Sequence, residues 1–254
     1  MIDLHTHILP AVDDGPADVE TALAMARDGV ERGLTVVAAT PHFLNPITWA
    51  DIQEKVKELR QHLAQAEIPL ELVPGAELML DTDLFQLEPG EIPTYGAAGR
   101  FCLIEFPMGY LPMYTDEVLF DLQTKGITPI IAHPERYAAV MENPSMVFGW
   151  LEQGCLVQVN TGSILGRFGR EVAAAAEILL THDWAQFVAS DGHSMRRRPL
   201  DLPEAHTALV KLLGAQRARE LVEDNPREML AGSFAVKRQP REYVKKRRLF
   251  PFWR

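Results

Sequence analysis

The chain has 254 residues, of which 47% are hydrophobic, and a formal net charge of −10. This length and composition suit one large α/β domain, and no apolar stretch approaches the roughly 18 residues that a membrane span needs. The acidic charge disfavours a nucleic-acid partner, and the first residues lack the basic region of a signal peptide, so we expect a cytoplasmic protein.

Short apolar runs alternate with helical patterns along the whole chain. Nearly continuous apolar runs are typical of parallel strands covered on both faces, and we predict strands at 1–5, 35–39, 70–74, 101–105, 128–132, 156–160 and 185–189. Helices are predicted at 17–33, 51–66, 115–125, 144–153, 170–181, 203–213 and 215–230. Seven such units favour an α/β barrel, with an open parallel sheet as the other option.

The first predicted strand ends in two histidines that are one residue apart, His5 and His7. Because residues i and i+2 of a strand point to the same side, the two imidazoles face one spot. This pattern predicts a metal site.

Side chains that bind metals also occur at the ends of the other predicted strands, which is where barrel enzymes carry their active sites. The candidate ligands are His5, His7, Asp14, His42, Glu77, Glu105, His133, Asp191 and His193. Nine nitrogen and oxygen donors are about twice what one ion needs, so two or three ions that share carboxylates are the simplest account. Mn, Fe and Zn all accept such ligands.

Several of these residues have ordinary structural explanations when each is taken alone. Asp13-Asp14-Gly15 is a common turn sequence, and Glu77 and Glu105 could be charges at strand ends. Their joint recurrence at strand ends favours the metal site. Asp13 is adjacent to Asp14 and stays open as the alternative ligand.

The two cysteines, Cys102 and Cys155, lie in apolar strand-like runs and are predicted to be buried free thiols. Neither begins the Cys-x5-Arg loop of thiol-based phosphatases, because Met108 and Thr161 occupy the arginine position. The sequence therefore excludes that chemistry.

The motifs resemble those of a known family when they are taken in order. They read His-x-His, Asp-Asp-Gly, Thr-Pro-His, Gly-Ala-Glu, Ile-Glu-Phe, Ala-His-Pro-Glu-Arg-Tyr, Gln-Val-Asn-Thr-Gly-Ser and Ala-Ser-Asp-Gly-His. Over about residues 1–231 the chain resembles the PHP (polymerase and histidinol phosphatase) superfamily. Within it, the chain is most similar to the bacterial capsule-type, manganese-dependent protein tyrosine phosphatases.

The resemblance implies a distorted seven-stranded (β/α)7 TIM-like barrel, the PHP fold, with three metal ions, manganese first among them. One ion would be held by His5, His7, Glu77 and Asp191. A second would share Glu77 and add Glu105 and His133, and a third would take Asp14, His42 and His193. A hydroxide that bridges these ions would attack the phosphorus of the substrate.

Charge that develops on the phosphate oxygens calls for arginine, whose planar fork binds phosphate through two hydrogen bonds. Arg136 is the first candidate, and one of Arg196, Arg197 and Arg198 is the second, with the family spacing favouring Arg198. Arg167 and Arg170 either contact the substrate or lie in a solvated loop.

Residues 237–254 form a tail that contains eight Lys or Arg residues and one Glu. The sequence Leu-Phe-Pro-Phe-Trp lies near its end, at 249–253. We therefore divide the chain into a metallophosphatase barrel at 1–236 and a basic, aromatic tail at 237–254. Residues 238–254 could contact an anionic membrane surface. A solvated tail, a tail packed on its own domain, or a contact with another subunit is the alternative.

The favoured function is a phosphotyrosine protein phosphatase that acts on a bacterial tyrosine kinase controlling capsule or exopolysaccharide synthesis. A phosphatase for a small metabolite such as histidinol phosphate is the alternative enzyme, and a homo-oligomer is compatible with either. A catalytically dead regulatory barrel is disfavoured because all nine ligand positions are filled. A hydrolase of C–N bonds would need a metal-bridging lysine that none of the motifs supplies.

Overall fold

The computed structural model describes residues 1–44, 46–96 and 99–244. In these residues eight strands form two parallel sheets, with the orders β1-β2-β3 and β4-β5-β6-β7-β8. The strands are β1 (Ile2–Thr6), β2 (Val36–Ala39), β3 (Glu71–Pro74), β4 (Glu77–Met79), β5 (Phe101–Glu105), β6 (Thr128–Ala132), β7 (Leu156–Asn160) and β8 (Phe187–Ala189). The predicted parallel α/β class is confirmed.

Two isolated bridges connect the two sheets. Thr6 pairs with Gly192, just after β8, and His42 pairs with Glu77 at the start of β4. The backbone N–H of His7 donates to the carbonyl of Gly192 at 2.8 Å, and that of Phe43 donates to the carbonyl of Glu77 at 2.9 Å. These contacts join the end of β1 to the end of β8, and the segment after β2 to the start of β4.

Glu77 follows the strand predicted at 70–74, which is β3 in the structure, but it is also the first residue of an eighth strand that was not predicted. The chain leaves the first sheet after Pro74 and enters the second at Glu77. Gly75 lies in this crossing, and a Cβ there would approach Thr40 and the ring of Tyr95 to 3.1–3.2 Å. The absence of a side chain at Gly75 therefore allows the close packing of Thr40 and Tyr95 at this crossing.

The six helices that were predicted before residue 214 begin and end within two residues of their predicted bounds. The helices are α1 (Val19–Glu31), α2 (Trp49–Gln65), α3 (Thr115–Thr124), α4 (Ala138–Glu142), α5 (Ser145–Glu152), α6 (Thr161–Ile164), α7 (Arg170–Thr181), α8 (Leu202–Leu213), α9 (Ala215–Arg219) and α10 (Asn225–Leu230). A π-helical turn at Glu220–Asp224 joins α9 to α10, so the helix predicted at 215–230 is not uniform. Short 3-10 helices lie at Thr82–Gln86 and Pro134–Arg136.

Two hydrophobic clusters hold the strands in place. One cluster packs the outward faces of the strands against the helices, with residues such as Val37 of β2 and Ile104 of β5. The other combines residues from strands of both sheets, such as Leu4, Leu103 and Phe187, with Met229 of α10. The strand ends are therefore held on a rigid, fully packed base, which is what a precise site requires.

The described start of the C-terminal tail packs against the domain. Arg238 forms an ion pair with Glu220, and the backbone carbonyl of Arg241 accepts a hydrogen bond from the indole of Trp184 at 2.8 Å. The ring of Tyr243 meets that of His182 edge-on, with centroids 5.3 Å apart. Residues 245–254, which carry most of the predicted membrane contact, lie outside the described residues. No helix in the described part of the chain is long and apolar enough to cross a membrane.

Candidate metal centre

His5 lies in β1 beside a register shift, and His7 follows directly after the last residue of that strand. Asp3 lies opposite Val37 and Thr6 opposite Ala39, so that Leu4 and His5 both face the single residue between them. Such an irregularity changes the direction of the side chains beyond it. Both imidazoles are fully buried, and their Nε2 atoms lie 3.3 Å apart. The prediction that the two histidines face one spot agrees with this geometry.

Two buried carboxylates face the same pair of nitrogens. Nε2 of His5 lies 3.3 Å from Oε1 of Glu77 and 3.4 Å from Oδ1 of Asp191. Nε2 of His7 lies 3.3 Å from Oε2 of Glu77 and 3.6 Å from the same oxygen of Asp191. Ligand atoms about 2.1 Å from one ion are themselves roughly 3.0–3.5 Å apart, so these spacings fit a metal ion. Oδ1 of Asp191 is buried without a hydrogen-bond partner, which also fits a ligand atom.

A second set of donors extends from Glu77 toward β5 and β6. Nε2 of His133 lies 3.0 Å from Oε1 of Glu77 and 3.6 Å from Oε1 of Glu105. Nδ1 of His42 lies 3.1 Å from Oε2 of Glu77. Burial and the charge of Glu77 raise the pKa of Glu105 to about 7. A cation between the two carboxylates would oppose that shift, because it favours their charged forms.

The neighbouring aspartates after β1 have different positions. Asp13 accepts a hydrogen bond from Nδ1 of His7 at 2.6 Å and another from the backbone N–H of His42 at 3.0 Å. Although burial opposes the shift, the hydrogen bond from His7 lowers the pKa of Asp13 to about 2. Asp14 instead points to His193 and His42, with its Oδ1 3.2 and 3.6 Å from their Nε2 atoms. The geometry places Asp14 among the donors and Asp13 behind His7.

A chain of buried amides orients the same cluster, and the sequence analysis did not assign it this role. Nδ1 of His5 lies 2.9 Å from Oε1 of Gln158, whose Nε2 donates to Asn160 at 2.8 Å. Asn160 in turn donates from Nδ2 to Oδ2 of Asp191 at 2.7 Å. Partners of this kind fix the orientation of metal-binding histidines and carboxylates. The Gln-Val-Asn pattern on β7 was the available signal.

Both predicted arginines reach the cluster through Asp191. Nη1 of Arg136 donates to Oδ2 of Asp191 at 3.0 Å, and Nη2 of Arg198 contacts the same oxygen. Nη1 of Arg198 also lies 3.0 Å from Nε2 of His193. Burial and the positive charges nearby lower the pKa of His193 to about 4. Arg196 and Arg197 are exposed, which agrees with the choice of Arg198.

The loop between α6 and α7 adds a residue that sequence reasoning missed. The guanidinium of Arg136 stacks over the ring of Phe168, 4.7 Å from its centroid. A Cβ at Gly162 would lie 2.7 Å from that ring, so the glycine makes room for it. Arg167 forms an ion pair with buried Asp201, and Arg170 is exposed at the start of α7. Neither of these two arginines contacts the donor cluster.

Two of the candidate ligands hold unusual backbone conformations. His133 has a φ of 33° and Asp191 a φ of 56°, both in the left-handed region that residues other than glycine rarely occupy. Strained residues of this kind concentrate at functional sites, where the surrounding structure holds them in place.

The described residues contain four overlapping groups of donors with metal-site spacing. They are His7, Asp14, His42 and His193; His5, Glu77 and His133; His5, His7 and Asp191; and His42, Glu77 and Glu105. All nine predicted ligands are present, although the groups do not coincide with the three sets that the resemblance implies. No thiol takes part, because Cys102 and Cys155 are free and buried, and burial raises the pKa of both.

Parallel strands that end in clustered histidines and carboxylates, with arginines beside them, define a metallohydrolase that handles an anionic substrate. A family model described as capsular polysaccharide synthesis, CpsB/CapC, matches residues 1–231. The chain belongs to this family, and the family predicted from the motifs is confirmed.

Individual relatives are similar over nearly their whole length. Tyrosine-protein phosphatase YwqE of Bacillus subtilis is 36% identical over 100% of both chains. Tyrosine-protein phosphatase CpsB of Streptococcus pneumoniae is 33% identical over 91% of this chain and 98% of its own. A chain from the crystal structures of YwqE and CpsB, described as metal-dependent tyrosine phosphatases, superposes with a TM-score of 0.90. It is 33% identical and covers 96% of this chain and 100% of its own.

Proposed function

We propose that this protein is a metal-dependent protein tyrosine phosphatase. The observation that carries the proposal is the joint presence of nine nitrogen and oxygen donors and two arginines at one set of strand ends. A phosphate monoester is a small dianion, which suits a site with bound cations and arginine forks. The similarity to tyrosine phosphatases along the whole chain supports phosphotyrosine as the substrate.

We assign the ligands to three ions on the family pattern. His5, His7, Glu77 and Asp191 would hold one ion, and Glu77, Glu105 and His133 a second. Asp14, His42 and His193 would hold a third. The donor chemistry supports two or three divalent ions, since the cluster offers imidazole and carboxylate and no sulfur. Manganese is proposed on the family pattern, with iron or zinc as the alternatives.

When bound, the ions supply an activated water nucleophile near neutral pH and neutralise charge on the phosphate. The protein contributes orientation and further charge. Asp13 and Gln158 hold the two leading histidines through their Nδ1 atoms, so that each Nε2 points to the cluster. Arg136 and Arg198 would bind the phosphate oxygens. The phenol of tyrosine has a pKa of about 10 and leaves without a strong general acid.

The two bridges between the sheets support one distorted, closed barrel in which β3 and β4 count as a single interrupted strand. We propose residues 1–236 as this barrel and residues 237–254 as the tail. The proposed protein substrate is a bacterial tyrosine kinase of a capsule or exopolysaccharide system, in keeping with the family. The cytoplasmic location, the homo-oligomer and a membrane contact of residues 238–254 stay predictions.

Phosphate release from a phosphotyrosine peptide and from histidinol phosphate, measured side by side with Mn²⁺, tests the proposal. A strong preference for the peptide is the expected result. A preference for histidinol phosphate would leave the metal centre and the arginines in place but reject the protein phosphatase.

A further inference from the structure

A groove of about 780 Å³ opens next to the metal centre, between the loop after β2 and the segment after β4. Its apolar lining comes from Phe43, Ile47, Trp49, Met79, Leu84 and Leu87. The volume lies within the range of ligand-binding clefts in proteins. None of the residues that bind the proposed metals lines this groove, so it is a separate feature of the surface.

The backbone connects this groove directly to the metal centre. Phe43 follows His42 in sequence, and its N–H donates to the carbonyl of Glu77 at 2.9 Å. Met79 is two residues after Glu77 on β4, so the two side chains share a face of that strand about 6.7 Å apart along it. That distance is about the length of two residues of an extended peptide. A chain whose phosphotyrosine reaches the metals would therefore pass over the groove.

The rim of the groove carries negative charge only. Asp81, Asp83 and Glu91 line it and are exposed to solvent. No Lys, Arg or His is found among its lining residues in the described part of the chain. Three carboxylates around an apolar floor are complementary to a segment with apolar and basic side chains. They would repel a segment rich in Asp or Glu.

We infer that this groove binds the substrate polypeptide next to its phosphotyrosine and selects apolar residues flanked by Lys or Arg. The inference rests on the proposed function. It adds which residues the enzyme prefers on either side of the phosphotyrosine. The metal centre recognises the phosphate, and the groove recognises the protein that carries it.

Two phosphotyrosine peptides test this inference; one has Lys and the other has Glu at the same two positions flanking the phosphotyrosine. Phenyl phosphate, which carries no peptide, is the third substrate. We expect kcat/KM of the native protein with Mn²⁺ to be about fivefold to tenfold higher for the Lys peptide. The triple variant Asp81→Asn, Asp83→Asn, Glu91→Gln should bring the two peptides to similar values. Its kcat/KM for the phenyl phosphate should stay unchanged.

A matched variant separates the groove from the overall acidity of the protein. Glu152→Gln, Glu171→Gln, Glu177→Gln removes three exposed carboxylates from α5 and α7 and should keep the preference for the Lys peptide. Equal hydrolysis of both peptides by the native protein, or a preference that survives the groove variant, would overturn the inference. A change of oligomeric state by light scattering, without a change in peptide preference, would make the groove a contact between copies and also overturn it. Failure to hydrolyse all three substrates would reject the proposed function itself.

Discussion

Arg136 is the residue on which the phosphate-binding proposal depends most. Among the described residues of the donor cluster, Asp191 is the one whose carboxylate pairs with the guanidinium of Arg136. Arg136→Ala should lower the turnover of a phosphotyrosine peptide more than about tenfold, because the guanidinium no longer stabilises the charge on the phosphate oxygens in the transition state. Metal content by elemental analysis should stay that of the native protein. Arg197→Ala, which removes an exposed arginine, is the control, and equal turnover in the two variants would remove Arg136 from the site.

Phe168 positions Arg136 through the stacking of its ring on the guanidinium. Phe168→Leu should raise KM for the phosphopeptide or lower kcat by about threefold to tenfold, as expected for the loss of a cation–π contact. Phe168→Tyr keeps the aromatic face and should restore most of the activity. Phe120→Leu changes a ring that is 67% exposed and serves as the control. Kinetics of Phe168→Leu that match those of the native protein would contradict this role.

The loop after β1 assigns different tasks to two adjacent carboxylates. Gly15 permits its path, because a Cβ there would lie only 2.1 Å from the carbonyl oxygen of His7. Asp14→Asn should bind fewer manganese ions per chain than the native protein, since Asp14 is the proposed ligand of the third ion. Asp13→Asn should keep the number of ions and weaken their binding by about 10- to 100-fold, because it acts through His7. Metal titration followed by elemental analysis distinguishes the two, and the reverse pattern would make Asp13 the ligand.

The C-terminal segment is fixed to the domain by Glu220, which accepts from Arg238 at 2.9 and 3.0 Å and from Arg217 at 3.1 Å. The hydrogen bonds from Arg238 lower the pKa of Glu220 to about 2. A carboxylate with a lowered pKa in the folded state stabilises the fold above its unfolded pKa, and this stability is lost as the pH falls from about 4.5 to 2.

Glu220→Gln should therefore be less stable than the native protein at pH 7, by about 1 kcal/mol after allowance for partial exposure. The two proteins should become more similar in stability as the pH approaches 3. Urea unfolding at several pH values measures this. Glu54→Gln breaks a pair with Lys57 that is exposed on both sides and should change little. A difference that is constant over the whole pH range would contradict the prediction.

Elements and ligands were predictable from the sequence to different degrees. The order of strands and helices follows from apolar runs and periodicity, and the ligands follow from residue types at strand ends. The start of β4 at Glu77 was not predictable, because it depends on the contact of Gly75 with Thr40 and Tyr95, which are distant in sequence. The contact of Phe168 with Arg136 and the groove beside Met79 likewise depend on tertiary packing. Local patterns carry no information about such contacts.

At the scale of the whole molecule, the packed strands bring buried carboxylates of like charge together. Glu77 and Asp191 are both about 1% exposed, and burial together with the charge of Glu77 raises the pKa of Glu105. A fold that concentrates these charges gains stability from any cation that binds among them, because the cation binds the folded state and not the unfolded one.

Chelation of the metals should therefore lower the melting temperature of the protein. Binding at about 100 times the dissociation constant stabilises the fold by about 2.7 kcal/mol, which corresponds to roughly 5–10 °C for a chain of this size. Differential scanning fluorimetry with Mn²⁺ and with EDTA measures the shift. Glu77→Gln removes the carboxylate that two proposed ions share, and it also removes the repulsion between Glu77 and Glu105. The melting temperature of this variant should therefore depend much less on Mn²⁺ than that of the native protein. If the native protein melted at the same temperature with and without metal, the nine donors would be a proton-sharing network instead of a metal centre.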